Sequence, residues 1–387
     1  MRNPVVILGA VVAIGPLSID TYLPAFPEIG DALGAGPSAV QLTLTACVAG
    51  LALGQLVAGP LSDRFGRRRP LIAGMVIYAA ASLLCALAPS VELLILLRLV
   101  QGLAGAAGIV IGRAVVRDLR SGPAAVRLFS SLMLVTGVAP ILAPLGGGYL
   151  LAVTSWEGIF VVLAGMAGLL AIAAALCLEE TLPPERRVAG GLVDTLRTLR
   201  RLLAERSFMG NALAQGLAFG SVFAYVAGTP FVLQKVYGVS PQLFSVLFAL
   251  NGIGLIAASP LNARLVGRCG SPALLGVGVY AIAVSSAALL AAVSLHLAVW
   301  TVLVPMFVVV TSLAFVMPNA TALALADHPE VAGSASALVG VLQFLIGALA
   351  APLVGLGGAE TALPMGLVMT FFGGAAVIAL HGLARAR

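Results

Sequence analysis

Long apolar runs separated by short polar turns fill this chain, and most runs are about 20 residues long, the length an α-helix needs to cross a ~30 Å hydrocarbon layer. Such runs fall near 5–26, 39–61, 70–89, 92–113, 128–150 and 157–178. After a polar connection they resume near 208–233, 241–264, 273–294, 298–323, 332–354 and 362–382. The charge-free stretch 269–326 holds two of them, divided around Ser294-Leu295-His296. Arg2 followed by Val5 to Leu17 has the outline of a secretory signal, but the run continues to about Phe26 without a cleavage site, so it counts as the first helix. The pattern predicts an all-α integral membrane protein with twelve transmembrane helices.

The polar connection divides the chain into an N-terminal six-helix half (1–178), a linker (179–207) and a C-terminal six-helix half (208–387). Within the linker Leu192, Leu196, Leu199 and Leu203 recur at helical spacing among Arg197, Arg200, Arg201 and Arg206. This predicts an amphipathic helix lying on the inner leaflet, in contact with membrane lipid. It reads as a plain connector between the halves, with lipid sensing as the alternative.

Composition agrees with the pattern. The chain is 60% hydrophobic and 9% charged, with a mean hydropathy of +1.11, whereas soluble domains carry about 25% charge. Its 45 glycines fit a bundle of closely approaching helices. A net charge of +6 could signal nucleic-acid binding, but the arginines sit in the turns between apolar runs, which is a topology signal. Cys47, Cys85, Cys177 and Cys269 have no metal-ligand or disulfide spacing, and His296, His328 and His381 are isolated near span ends. No metal, cofactor or nucleic-acid partner is expected, and no enzymatic activity.

The turn Gly59-Pro60-Leu61-Ser62-Asp63-Arg64-Phe65-Gly66-Arg67-Arg68-Arg69-Pro70 concentrates charge between two apolar runs. Its spacing G-x-L-S-D-R-x-G-R-R resembles the loop between the second and third spans of the major facilitator superfamily. Pro260-Leu261-Asn262-Ala263-Arg264-Leu265-Val266-Gly267-Arg268 is a decayed echo about two hundred residues later, at the same place in its half. Two six-helix pseudo-repeats are a transporter architecture, in which substrate binds at the repeat interface. In the family the loop aspartate holds an inner gate by bonding neighbouring helix ends. The resemblance therefore implies that role for Asp63, with Arg67 and Arg113 as its partners, within a gate motif of Gly59, Arg64, Gly66 and Arg68.

Two ionisable residues, Asp20 and Arg98, lie well inside runs, and a charge embedded in a span is a functional candidate by default. Each lies about six residues, ~9 Å, from the outer end of its helix, so the two could face one another. The alternative is a static ion pair pinning two helices. Burial and a neighbouring guanidinium act on a carboxylate in opposite senses, which is one way to bring it to titrate near cellular pH. Ser18-Ile19-Asp20-Thr21-Tyr22-Leu23-Pro24-Ala25-Phe26-Pro27 resembles the first-span motif of the Bcr/CflA group of drug:proton antiporters. Arg98-Leu99-Val100-Gln101-Gly102 resembles the superfamily's fourth-span motif, whose arginine is implicated in proton coupling. Ala143-Pro144-Leu145-Gly146-Gly147-Gly148, preceded by Val135-Thr136-Gly137, resembles its fifth-span antiporter motif, with Ala143 in place of the first glycine. From these the resemblance implies proton coupling by Asp20 and Arg98, and an antiporter motif in Gly137, Pro144, Gly147 and Gly148.

The remaining polar and aromatic residues within runs, Tyr22, Gln55, Gln101, Gln215, Tyr225, Asn251, Asn319 and Gln343, are candidates to line a substrate cavity. Most isolated polar residues in spans bond a neighbouring helix instead, and about a third of these are expected to touch substrate. One carboxylate among Ala, Gly and Leu suits small lipophilic compounds, neutral or weakly cationic; sugars would need more hydrogen-bonding groups. No G-x-x-x-x-G-K-[ST] phosphate loop is present, so a gradient supplies the energy. The expectation is a proton-coupled multidrug exporter in a bacterial inner membrane, acting as a monomer. An exporter of one endogenous metabolite, a uniporter of the same fold and a non-transporting receptor are the alternatives.

Orientation follows from the positive charges. With the N-terminus inside, 18 arginines fall on the cytoplasmic side against Lys235 alone outside. Both termini and the connection 179–207 should therefore be cytoplasmic. A reporter fused at Gly190 should be active only in its cytoplasm-sensing form, and activity only in its exported form would overturn the span count.

Overall fold

The computed structural model describes residues 4–119, 138–139, 141–184, 187, 200–327, 332–358 and 361–384. The described residues are almost entirely helical, with no strand. The first span is broken into α1 (Pro4–Asp20), a 3-10 turn (Leu23–Ala25) and α2 (Phe26–Leu33). It is followed by α3 (Pro37–Phe65), α4 (Arg68–Ala86), α5 (Val91–Leu119), α6 (Ile141–Val153) and α7 (Trp156–Cys177). The later helices are α8 (Arg206–Phe231), extended by a π turn (Val232–Val236), then α9 (Pro241–Cys269), α10 (Ser271–Ser294), α11 (Val299–Leu325), α12 (Ala332–Gly355) and α13 (Leu363–Ala379), which ends in a second π turn (Leu380–Ala384).

Eleven helices among the described residues are long and apolar enough to cross a membrane. The expected fifth span is represented by α6, and its earlier part with Gly137 lies outside the described residues. The amphipathic helix expected around Leu192, Leu196 and Leu199 lies outside them too, as do His328 and Gly190. Several helices overrun their expected ends: the first span continues to Leu33, α3 to Phe65 and α9 to Cys269. Hydropathy marks where the apolar layer stops, but backbone hydrogen bonding carries a helix on into the polar region. Asp63 accordingly sits within α3 and not at its end, and the chain reverses at Gly66, whose φ of +88° few side-chain-bearing residues adopt.

The chain forms two compact units. One comprises Met1–Ala35, Leu42–Gly190 and Pro241–Val246, and the other Gly36–Gln41, Gly191–Ser240 and Leu247–Arg387. The first turns of α3 and α9 thus fall in units other than those of the helices they begin. Ser38 donates to the Pro352 carbonyl at 3.2 Å and Gln41 to that of Ala227 at 3.0 Å, while Gln242 donates to that of Gly148 at 3.4 Å.

Glycine sets the spacing in the first unit. A side chain at Gly50 or Gly54 of α3 would strike the α5 backbone at Leu99 and Leu103, and one at Gly102 would strike the Cys47 carbonyl. Gly108 packs equally tightly on the Val11 carbonyl of α1, and Gly74 of α4 on Ala107. In the second unit α8 is the central helix, packed by α11, α12 and α13, and its span is 89% buried against 39–50% for the other spans of that unit.

A Gly102→Val substitution should therefore push α3 from α5, at a cost of about 1–3 kcal/mol for overpacking. Its thermal midpoint in detergent should fall by several degrees. Gly165→Ala on α7, where a Cβ meets nothing within 4 Å, should leave the midpoint unchanged.

Candidate functional site

The break in the first span follows from its prolines. Pro24 has no N–H for the carbonyl of Asp20, and Pro27 has none for that of Leu23. The helix stops at Asp20, Thr21 and Tyr22 form a turn, and Ala25 donates back to Tyr22 at 2.9 Å in 3-10 fashion. Irregular backbone at membrane depth persists only where protein satisfies the freed groups. Here Arg98 of α5 does so, its Nη2 donating to the Ser18 carbonyl at 2.8 Å.

Arg98 is fully enclosed. Its Nη1 donates to Oε1 of Gln101, and Gln101 donates in turn to Ser82 Oγ at 2.6 Å. Ser82 donates to the Tyr78 carbonyl at 2.8 Å, and the Tyr78 hydroxyl meets Ser18 Oγ at 2.5 Å. The ring closes on the residue where it began and ties the first, third and fourth spans together. The guanidinium also lies over the Tyr22 ring at 4.1 Å and near that of Phe160 at 5.6 Å, an arrangement favourable to a desolvated cation. Tyr22 is anchored by Thr43 of α3 at 3.1 Å.

Asp20, 8% exposed, stands at the lip of the break. The static Asp20–Arg98 ion pair, the alternative to a coupling role, is not made: the guanidinium donates to Ser18 and Gln101, and no ion pair or hydrogen bond reaches the Asp20 carboxylate among the described residues. Thr21 Oγ1 beside it is buried and has no partner among the described residues. Gly147 of α6 packs directly on the Thr21 carbonyl, where any Cβ would collide, so the fifth helix rests on the same break. Pro144 and Gly148 are buried on that helix, Gly148 facing Ser245.

At the arginine-rich end of this unit, Arg67 is 3% exposed and bonds Asp63 at 2.6 Å, Asp118 at 2.8 Å and Ser62 Oγ at 2.7 Å. The Asp63–Arg67 contact is as expected, but Arg113 does not join it, and Asp118 is instead a second acid on Arg67. Arg113 is exposed, being carried by α5 away from the cluster, and it joins no ion pair among the described residues. Glu180, just beyond α7, accepts the amide N–H groups of Arg67 at 2.7 Å, Arg68 at 3.2 Å and Leu182 at 3.0 Å. It thereby caps the start of α4, while Arg68 Nη2 donates to the Ala175 carbonyl at the end of α7. Burial raises the Glu180 carboxyl, but the amides of Leu182, Arg67 and Arg68 and the Arg187 charge outweigh it and hold the group below its ordinary 4.5. Gly59 accepts from Ser62 at 2.8 Å, and Arg64 is exposed, stacked on Phe65.

The other candidates form separate clusters in the second unit. Asn251 donates to the Tyr225 hydroxyl at 2.6 Å, and Tyr225 stacks on Phe248. Asn319 donates to Asn262 at 2.7 Å, and Gln215 to Gln343 at 2.8 Å. Gln55, half-buried on α3, joins none of these clusters.

Several residues were missed by sequence reasoning. Tyr78 and Ser82 lie one helical turn apart in the third span, a weak signal that needs the position of Ser18 to become meaningful. Glu180 and Asp118 read as ordinary charges at helix ends. Their signal was the proximity of acids to span ends at the same side as the Arg64–Arg69 run.

The Glu180 clamp carries a pH signature. A carboxylate depressed on folding contributes stability above its unfolded value and loses it as pH falls through the folded one. Glu180→Gln should lower the thermal midpoint in detergent by a similar amount from about pH 8 to about pH 5.5, and the gap from the parent should narrow only below about pH 4.5. A gap that closes near neutrality would remove Glu180 from the clamp.

Comparison with known proteins agrees with this fold. The family model of the Major Facilitator Superfamily matches residues 8–352. The uncharacterized MFS-type transporter YdgK of Bacillus subtilis is 43% identical over 383 residues, 98% of this chain and 95% of its own. A bicyclomycin resistance protein homolog of Haemophilus influenzae is 34% identical over 359 residues, 92% of this chain and 90% of its own. Among solved structures, the nucleoside transporter NupG superposes with a TM-score of 0.79 at 13% identity, over 98% of this chain and 99% of that one, a likeness of fold alone. This multi-pass chain belongs to the major facilitator superfamily of membrane transporters.

Proposed function

We propose that this protein is a proton-coupled exporter of small lipophilic compounds, working by alternating access, with Asp20 as the proton carrier. One observation carries the reading. Asp20 is the carboxylate held well inside a span, it has no partner among the described residues, and it sits where the backbone of that span is already broken. A carboxylate fixed in an ion pair would resist protonation; an unpaired one at a flexible joint is free to gain and lose a proton as the joint moves. Arg98, locked beneath the joint, positions it, and Gly147 relays movement of the fifth helix to it. Tyr22 and Gln101 support Arg98 and the amides of the second unit contribute to substrate contact, while Asp63, Arg67, Asp118 and Glu180 hold the gate at the arginine-rich end. Glu180 stays ionised at cellular pH, so it is a poor proton carrier. Similarity to a bicyclomycin resistance protein homolog supports drug-like substrates.

One proton moving through ~100 mV supplies about 2.3 kcal/mol, and a pH unit adds about 1.4 kcal/mol. Together these sustain more than a hundredfold gradient of a neutral compound. Addition of a transported drug to the detergent-solubilised protein should release protons, and Asp20→Asn should abolish the release while leaving residual binding of neutral compounds. Equal release from both proteins would place the proton elsewhere and sink the assignment.

A further inference from the structure

The second unit contains a hydrogen-bond chain with an open end. Thr321 of α11 donates to Gln215 Oε1 at 2.9 Å, and Gln215 of α8 donates through Nε2 to Gln343 Oε1 at 2.8 Å. With the chain running in this direction, Gln343 turns its oxygen to Gln215. Its Nε2 is left facing away and donates to no group among the described residues, although the residue is only 7% exposed and lies midway along α12.

Other polar groups of this unit end differently. Ser221 donates to the Met369 carbonyl at 3.0 Å, Thr229 to that of Tyr225 at 2.5 Å, and Asn319 to that of Phe315 at 2.8 Å. Ser221 thus closes on the backbone of another helix, and Thr229 and Asn319 on the backbone one turn earlier in their own helices. A largely buried amide whose N–H pair meets no protein acceptor is costly unless something else accepts it. The surroundings limit what that is. Phe219 lies one helical turn beyond Gln215 and packs over Gly347, one turn beyond Gln343. Phe219 also meets Phe344 edge-to-face at 5.8 Å, and both rings are half-buried. An aromatic surface and an uncharged donor lie within one turn of each other, and among the described residues no acid bonds either.

We infer that Gln343 is a hydrogen-bond donor to the transported molecule, and that the second unit recognises a neutral acceptor, a carbonyl oxygen, on an aromatic compound. The inference rests on the exporter reading above and adds the chemistry of its substrate. Gln215 and Thr321 are positioning residues that hold the donor outward.

Chloramphenicol, a neutral aromatic amide, and tetraphenylphosphonium, an aromatic cation without a strong acceptor, separate the cases by equilibrium binding to the purified full-length protein in detergent. Gln343→Leu should weaken chloramphenicol binding roughly three- to tenfold, the loss of one neutral hydrogen bond, and leave tetraphenylphosphonium unchanged. Thr321→Val should weaken chloramphenicol alone and by less. If Gln343→Leu does not fold, Gln343→Met, which keeps the side chain's length, reads the same difference. Equal losses for both probes would make Gln343 a structural residue and overturn the inference, as would no loss for either. Failure of the unsubstituted protein to bind either probe would instead remove the exporter reading itself, and this inference with it.

Discussion

A membrane helix cannot be interrupted cheaply, because no water reaches the backbone groups that the interruption frees. The first unit depends on how that constraint is met at Thr21–Tyr22. Prolines break the helix, and a guanidinium from α5 reaches across to the Ser18 carbonyl. The guanidinium must then be stabilised, which Gln101, Ser82, Tyr78 and the Tyr22 ring accomplish together. Close passage of α5 against α1 and α3 makes this reach feasible, and Gly50, Gly102 and Gly108 permit the passage. Glycine spacing, proline breaks and one buried cation are parts of a single solution.

Much of this was legible in the chain. Runs of apolar residues located the eleven long spans of the described residues, since length and hydropathy are set by the bilayer itself, and the Gly66 reversal followed from the turn's composition. Asp20 and Arg98 stood out because charge in a span is rare. Their relationship was not legible. Spacing along two helices placed both at similar depth, but whether a guanidinium meets a carboxylate or a carbonyl depends on rotation about each helix axis and on where Pro24 stops α1. Arg113 failed for the same reason: it is six residues before the end of α5, and that arc turns it from the cluster that Asp118 joins. Glu180 was invisible because capping is a relation between two helix ends more than a hundred residues apart.

The two units solve similar fastening problems with different chemistry. Near the decayed loop, Asn262 and Asn319 meet as a buried amide pair 57 residues apart. In the first unit the corresponding ends are held by Asp63, Arg67 and Asp118. Charged clusters are strong, directional and sensitive to the loss of any member, since removing one partner strands the others. Amide pairs are weaker and forgiving.

That contrast bears on how such a protein can change over generations. At Arg98 one planar side chain serves the Ser18 carbonyl, the Gln101 amide and an aromatic face at once, and no lysine reproduces the fork. The position has almost no neutral neighbours in sequence space. The Gln215–Gln343 contact is a neutral hydrogen bond, so a substitution there strands no charge. Mutational tolerance is thus distributed unevenly along the chain: the broken first span leaves little room for substitution, and the amide contacts around α8 leave more.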